Sequence, residues 1–220
     1  MIVSYNWLKE LLELNVSPEK LAEEMSLYSV EVETFNKMVK ATNLVVGHVL
    51  EVADHENSDH LHVCKVDLGT HIEQIVCGAP NVAANQKVIV AKPGAVLPGG
   101  TIKASKVRGV ESNGMICSLQ ELGIENKYVP QEYQNGIYVL PEDAPLGVDA
   151  LEYLGLEDDI IELGLTPNRM DLLSMNGVAN DVCAFYGRKR IYEECKLVED
   201  QKTSASEVAV TVETPDCLTY

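Results

Sequence analysis

Between about Lys40 and Leu151 the chain is built from short β-branched runs interrupted by Gly, Pro and Asn, and on either side of that stretch the pattern changes. The runs are Leu44 to Val52, His62 to Asp67, Ile72 to Cys77, Lys87 to Ala91 and Gly136 to Leu140. Each has the length of a strand. Turn signals separate them with little helical periodicity between, which predicts a small barrel or sandwich.

The flanks read differently. Near the start, Trp7, Leu8, Leu11 and Leu12 recur at helical spacing behind Ser4. A second helix opens at Ser17-Pro18-Glu19 with an N-cap, a proline at the first helical position and an early acid, and it is expected to bury Leu21, Met25 and Tyr28. Val30 to Phe35 then alternates as a strand. After Leu151 the same texture returns, with a strand at Asp159 to Leu165, a turn at Thr166-Pro167-Asn168-Arg169 and a helix from Ser174 to Tyr186 closed by Gly187. The expected fold class is therefore α+β, a five-stranded OB-type β-barrel inserted into a small split mixed α/β domain. Its parts are 1–39 and 152–195 for the split domain, 40–151 for the barrel, and 196–220 for a linker leading into a further domain. In that last stretch Val208 to Val212 alternates as a strand that the sequence does not carry further, so the chain reads as part of a longer one.

A hydrophobic content of 46% is enough for an ordinary core without metal or disulfides. The six cysteines, Cys64, Cys77, Cys117, Cys183, Cys195 and Cys217, include no CxxC pair and read as reduced thiols of a cytosolic protein. No apolar run approaches the roughly 20 residues that cross a bilayer, and the first residues lack the pattern of a signal peptide, so the expected location is cytoplasmic. A net charge of −17 excludes a protein that wraps nucleic acid over its whole surface, because its summed field repels phosphate. Any such contact has to be local. The charge is uneven in a way that permits it: from Gln74 to Val110 there is no Asp or Glu, while Lys87, Lys92, Lys103, Lys106 and Arg108 all fall there. These cations either keep strand edges soluble or meet a polyanion.

His55, Asp59, His60, His62 and Cys64 form the densest cluster of titratable groups. On a strand, His60, His62 and Cys64 share a face at about 6.5 Å per step, too far apart for a tetrahedral metal site without bending and further ligands. The alternative is a turn leading into a strand, with His55 and Asp59 bonded to loop backbone and Cys64 buried, and no metal site is assigned. Ser58, Ser105, Ser112, Ser118 and Ser174 lie in no nucleophile-elbow setting, and the glycines near Lys92-Pro93-Gly94 and Leu97-Pro98-Gly99-Gly100 lack Walker spacing. No catalytic residue is assigned.

Four blocks in order resemble the tRNA-binding domain shared by several synthetases and free tRNA-binding proteins. They are His55 to Gly69, Ile75-Val76-Cys77-Gly78-Ala79-Pro80-Asn81, Lys92-Pro93-Gly94-Ala95, and Val107 to Ser118. The flanking Ser4-Tyr5-Asn6-Trp7-Leu8 and Thr166 to Ser174, followed by Gly177-Val178-Ala179, resemble the bacterial phenylalanyl-tRNA synthetase beta subunit, whose amino-terminal domain is split by such a barrel. Thr214 to Tyr220 is similar to the entry of that family's editing domain, although Leu218-Thr219 stands where Pro-Arg is usual.

The resemblance implies an enzyme of two alpha and two beta subunits that uses ATP and magnesium on the alpha subunit to activate phenylalanine. It gives this segment the roles of tRNA(Phe) contact and scaffolding against the alpha subunit and a second beta subunit, with no cofactor of its own. Within it, Lys87, Lys92, Lys103, Lys106 and Arg108 are the expected phosphate contacts. Arg169 is read as a structural residue that bonds its own turn or an acid of the split domain. Tyr128, Tyr133 and Tyr138 are the few aromatic residues that could stack on bases. A free-standing tRNA-binding protein, and a barrel that only scaffolds, remain open alternatives.

Overall fold

The computed structural model describes residues 1–192, 196–199 and 202–216. Cys195, Cys217 and the tail residues 217–220 lie outside the described residues, as do 193–195, 200 and 201 of the expected domain and linker. Residues 1–190 form one compact unit, and the chain beyond it a second.

The first unit begins with β1 (Ile2–Ser4), α1 (Tyr5–Leu11), α2 (Pro18–Tyr28) and β2 (Glu31–Lys37). Ser4 caps α1 by accepting from the Trp7 N–H at 3.0 Å, and Ser17 caps α2 by accepting from the Lys20 N–H at 3.3 Å. The chain then runs through β3 (Leu44–Asp54), β4 (His62–Asp67), β5 (Ile72–Cys77), β6 (Lys87–Ala91), β7 (Val96–Leu97), β8 (Gly100–Thr101), β9 (Ser105–Val107), β10 (Val110–Ser112), β11 (Met115–Ile116) and β12 (Val139–Leu140). It returns through α3 (Ala150–Tyr153), β13 (Asp159–Gly164) and α4 (Met175–Tyr186).

β13 pairs antiparallel with β1 on one side and β2 on the other, so one three-stranded sheet is assembled from both ends of the unit. Its core follows the same plan, with Val3, Leu8, Leu12, Leu21 and Met25 packing on Ile161, Leu163, Leu172, Val178 and Val182. The return is fixed by Asp158, a buried carboxylate that accepts from the Ser4 hydroxyl and from the N–H groups of Asn6 at 2.9 Å and Asp159 at 2.8 Å. A distant acid thus satisfies an unpaired donor in the first turn of α1. Tyr28 departs from expectation: it is exposed at the last residue of α2, where its ring leans on Phe185 at 6.0 Å instead of entering the core.

β3, β4 and β5 form an antiparallel meander, and β6 crosses back to pair with the first half of β3. The far edge of β6 is shared by β11, opposite Val90 and Ala91, and β12, opposite Lys87 and Val88. The sheet curls until β5 meets the end of β10: the Asn113 N–H donates to the Gln74 carbonyl at 2.8 Å and the Val76 N–H to Ser112 Oγ at 3.0 Å. The result is a nearly closed five-stranded antiparallel barrel of the OB type. The first half of β3 and nearly all of β6 are buried on both faces. Val45, Val49, Val88 and Val90 point to one cluster with Cys64, Val66 and Ile75, while Leu44, Val46, Ile89 and Ala91 point to another with Leu119, Leu122, Val129 and Leu151.

The last strand is shorter than the run Gly136 to Leu140 because a side chain takes over its beginning. The Ile137 N–H donates to Asn81 Oδ1 at 2.9 Å, and Asn81 Nδ2 donates to the Ile137 carbonyl at 2.9 Å. The hairpins β7–β8 and β9–β10 and the short β11 were not anticipated. Beyond residue 190 the one helix among the described residues is α5 (Ser204–Glu207). Val208 to Val212 forms no strand: none of the strand pairings among the described residues includes it, and alternation alone does not satisfy the backbone groups of an extended segment.

Gly177 lies in the first turn of α4, where a Cβ would come within 1.7 Å of the Asp171 carbonyl oxygen. In an open helix Gly→Ala gains up to about 1 kcal/mol. Here the clash with backbone decides the sign, and Gly177→Ala is expected to lose about 1–3 kcal/mol in urea unfolding, the cost of overpacking.

Candidate nucleic-acid interface

The acid-free segment does not fold into a single basic patch. Lys87 opens β6 and Lys92 follows its end, five positions on; they therefore sit on opposite faces and roughly 16 Å apart. Both are half-buried. Lys103, Lys106 and Arg108 are exposed and belong to the stretch from β8 through the β9–β10 hairpin, an arm held between β5 at its root and the β3–β4 loop at its tip. The arm's root is the closure on β5 already described, reinforced by Gln74 Nε2 donating to the Glu111 carbonyl at 2.8 Å.

At the arm's tip Val107 faces Val110 across a two-residue turn, Arg108-Gly109. Arg108 has φ +47 and Gly109 φ +94, the pair of positive values that a tight hairpin with right-handed strand twist demands. A left-handed conformation costs a side-chain-bearing residue about 1–2 kcal/mol. Arg108 offsets part of that by donating from Nη1 to the Asn57 carbonyl at 3.1 Å. Beside it His55, only 3% exposed, has Nε2 at 3.1 Å from the Val107 carbonyl and Nδ1 accepting from the Asn57 N–H at 3.0 Å. Lys106 pairs with Glu111 on the neighbouring strand at 3.6 Å, an exposed contact that leaves the ammonium open to solvent. The arm thus offers cations on a braced support. Glu56 and Asp59, exposed on the loop beneath the tip, limit its positive field.

A cleft of about 510 Å³ lies on the other side of β11, lined by Cys77, Met115, Gln120, Glu121, Gln134 and Gly136. It shares Met115, Gln120 and Glu121 with a neighbouring cleft of about 470 Å³ under the β7–β8 hairpin. Glu121 is the charged residue of this lining, and its Oε2 accepts from the Ser118 N–H at 2.7 Å and from Ser118 Oγ at 3.0 Å. Such walls suit uncharged groups and repel phosphate. Of the three tyrosines, Tyr133 and Tyr138 pack edge to face at 4.9 Å, while Tyr128 is exposed with the Lys127 ammonium 4.8 Å from its ring centre.

The histidine-rich cluster resolves into backbone and strand contacts. Its members are spread over the tip loop and β4, and no three His, Cys, Asp or Glu side chains among the described residues converge as metal ligands do. Arg169 is structural: its Nε and Nη2 fork onto Asp171 at 3.1 and 3.0 Å, and Nη2 also reaches Asp181 at 2.7 Å, which accepts in turn from the Ser29 hydroxyl. Hydrogen bonding from Arg169 lowers the Asp171 carboxyl below its ordinary 3.8. A lowered folded value means that this contact stabilises fully above about pH 4 and is lost as pH falls further.

Residues 44–149 match the family described as putative tRNA binding domain. Over nearly its whole length the chain is similar to phenylalanine–tRNA ligase beta subunits. It is 51% identical to that of Geobacillus kaustophilus, covering 98% of this chain and 27% of that protein. It is 47% identical to that of Streptococcus agalactiae, covering 100% of this chain and 28% of the relative. A solved MetRS-related protein from Pyrococcus horikoshii shares 22% identity at a TM-score of 0.35, over 47% of this chain and 84% of its own. The barrel, with the segments inserted in it, is the part of the chain that matches the tRNA-binding domain family. Over essentially its whole length the chain is thus similar to phenylalanine–tRNA ligase beta subunits, and it spans about 27% of the length of the curated relatives it matches.

Cys64 and Cys117 are buried, and burial pushes both thiols up to about 12. Neither is a thiolate at neutral pH, the form that a nucleophile or metal ligand requires. Iodoacetamide followed by peptide mass mapping is expected to leave both unlabelled in the folded protein and to label both in denaturant.

Proposed function

We propose that this chain is the amino-terminal, tRNA-contacting and scaffolding part of a phenylalanine–tRNA ligase beta subunit. The observation that carries the reading is 51% identity along nearly the entire chain to such a subunit. In this reading the parts are a split domain at 1–39 and 152–195, the barrel at 40–151, and a linker with the start of an editing domain at 196–220. The complete enzyme joins two alpha and two beta subunits in the cytoplasm, and it attaches phenylalanine to tRNA(Phe) with ATP and magnesium at the alpha subunit. In this reading both act at the alpha subunit, and no residue of this chain is assigned to either.

Lys103, Lys106 and Arg108 are the primary phosphate contacts in this account, with Lys87 and Lys92 at the flanks. The arm's contribution is electrostatic and indifferent to base sequence, because exposed ammonium and guanidinium groups meet phosphate and not base edges. A second reading, in which the barrel only scaffolds, is favoured by the net charge of −17 and by the acid in the cleft.

A salt series of tRNA affinity separates them. Each phosphate contact contributes a slope of about 0.7–0.9 in log K against log salt. Replacing Lys103, Lys106 and Arg108 together with Glu is expected to reduce the slope by about 2–3 and to weaken binding at low salt, with the barrel's circular dichroism unchanged. An unchanged affinity and slope sends the tRNA contacts elsewhere and leaves the scaffold.

A further inference from the structure

We propose that His55 is the positioning residue of the cationic arm, acting as a neutral imidazole with its proton on Nε2. Its purpose rests on the tRNA reading above; its geometry does not. A backbone N–H can only donate, so the 3.0 Å contact from Asn57 makes Nδ1 the acceptor. The remaining ring nitrogen then carries the hydrogen and donates to the Val107 carbonyl at 3.1 Å, 52 positions away in the chain. That carbonyl belongs to the last residue of β9, immediately before the turn at Arg108.

The bond is one of three that close a ring between loop and arm. His55 Nε2 reaches Val107, Arg108 Nη1 returns to the Asn57 carbonyl, and the Asn57 N–H comes back to His55 Nδ1. Asn57 is thereby held by both of its backbone groups, and the strained turn is held from outside. The root on β5 alone would leave the hairpin to swing as a two-stranded ribbon, which is marginal by itself in water. The tip fixes its direction. A swinging arm would have to be ordered each time it met a phosphate backbone; a pinned one has lost that freedom already.

A buried histidine that merely fills space makes different predictions, and three substitutions tell the two apart. In His55→Asn the amide oxygen can still accept from Asn57, but nothing reaches Val107. In His55→Gln the longer amide can place an N–H where Nε2 was. His55→Ala removes both contacts. Hydrogen exchange read by NMR is expected to quicken about fivefold for amides of 105–112 in His55→Asn and His55→Ala, the worth of one net hydrogen bond. His55→Gln stays near wild type, and β3 and β6 are unchanged in all three. The same Asn variant weakens tRNA binding about fivefold, and adding Lys106→Glu and Arg108→Glu to it costs less than adding them to wild type.

Arm exchange that is unchanged in His55→Asn, or as fast in His55→Gln as in His55→Asn, overturns the proposal. Nitrogen NMR of the wild-type imidazole decides it even where a variant fails to fold: a proton on Nε2 supports it and one on Nδ1 refutes it. If the wild-type chain binds no tRNA, the functional reading fails, while exchange and tautomer still decide whether His55 holds the arm.

Discussion

β3 carries the barrel because it serves two neighbours at once. Its first half, Leu44 to His48, bonds to β6, and its second half, His48 to Asp54, bonds to β4. The change of partner comes with a bulge: Val49 faces Val66 and Glu51 faces Lys65, so Leu50 is the extra residue that bends the strand. Gly47 sits just before the bend, where a Cβ would meet Val90 Cγ2 at 2.7 Å and Val66 Cγ1 at 2.9 Å. The two adjoining strands close in over a residue without a side chain. Without that approach the sheet would stay open, and β5 could not reach Ser112 and Asn113.

The arm depends on this closure. Its root is the seam that seals the barrel, and its tip rests on the loop that joins β3 to β4, so both supports are fixed by the same curvature. What it presents is modest, three exposed cations on an acidic molecule, one of which already spends a guanidinium nitrogen on Asn57. Under the proposed function, that balance fits contact that gains strength from further contacts made elsewhere, as multivalent binding does. The cleft beyond β11 is electrostatically distinct, and the two surfaces are suited to different chemical groups.

Strands bounded by turn residues were legible in the sequence, and β4, β5 and β6 begin and end where the β-branched runs do. So were the helix starts at Ser4, Ser17 and Ser174, because N-caps act within three residues. What local pattern could not supply was any contact between distant residues. The insertion of Asn81 at Ile137 shortened β12, and the lean of Tyr28 on Phe185 kept that ring out of the core. The five candidate cations are continuous in sequence, yet β6 sets Lys87 at its start apart from Lys92 beyond its end, and Lys106 and Arg108 lie on a separate hairpin. His55 looked like part of a possible metal cluster. Its role is set by Val107, whose position no spacing in the sequence gives away. The Arg108-Gly109 pair was the one available clue, a dipeptide with a glycine suited to a tight turn between Val107 and Val110.

The central claim is that the arm is the primary contact of this chain with the tRNA backbone. Amide chemical shifts of the nitrogen-labelled chain, followed while tRNA is added, test it most directly. The account predicts that shifts and line broadening concentrate at 103–109 and in the loop 55–60 beneath the tip. Perturbations centred on the Gln120–Glu121 cleft, or on α1, α2 and α4, would contradict it.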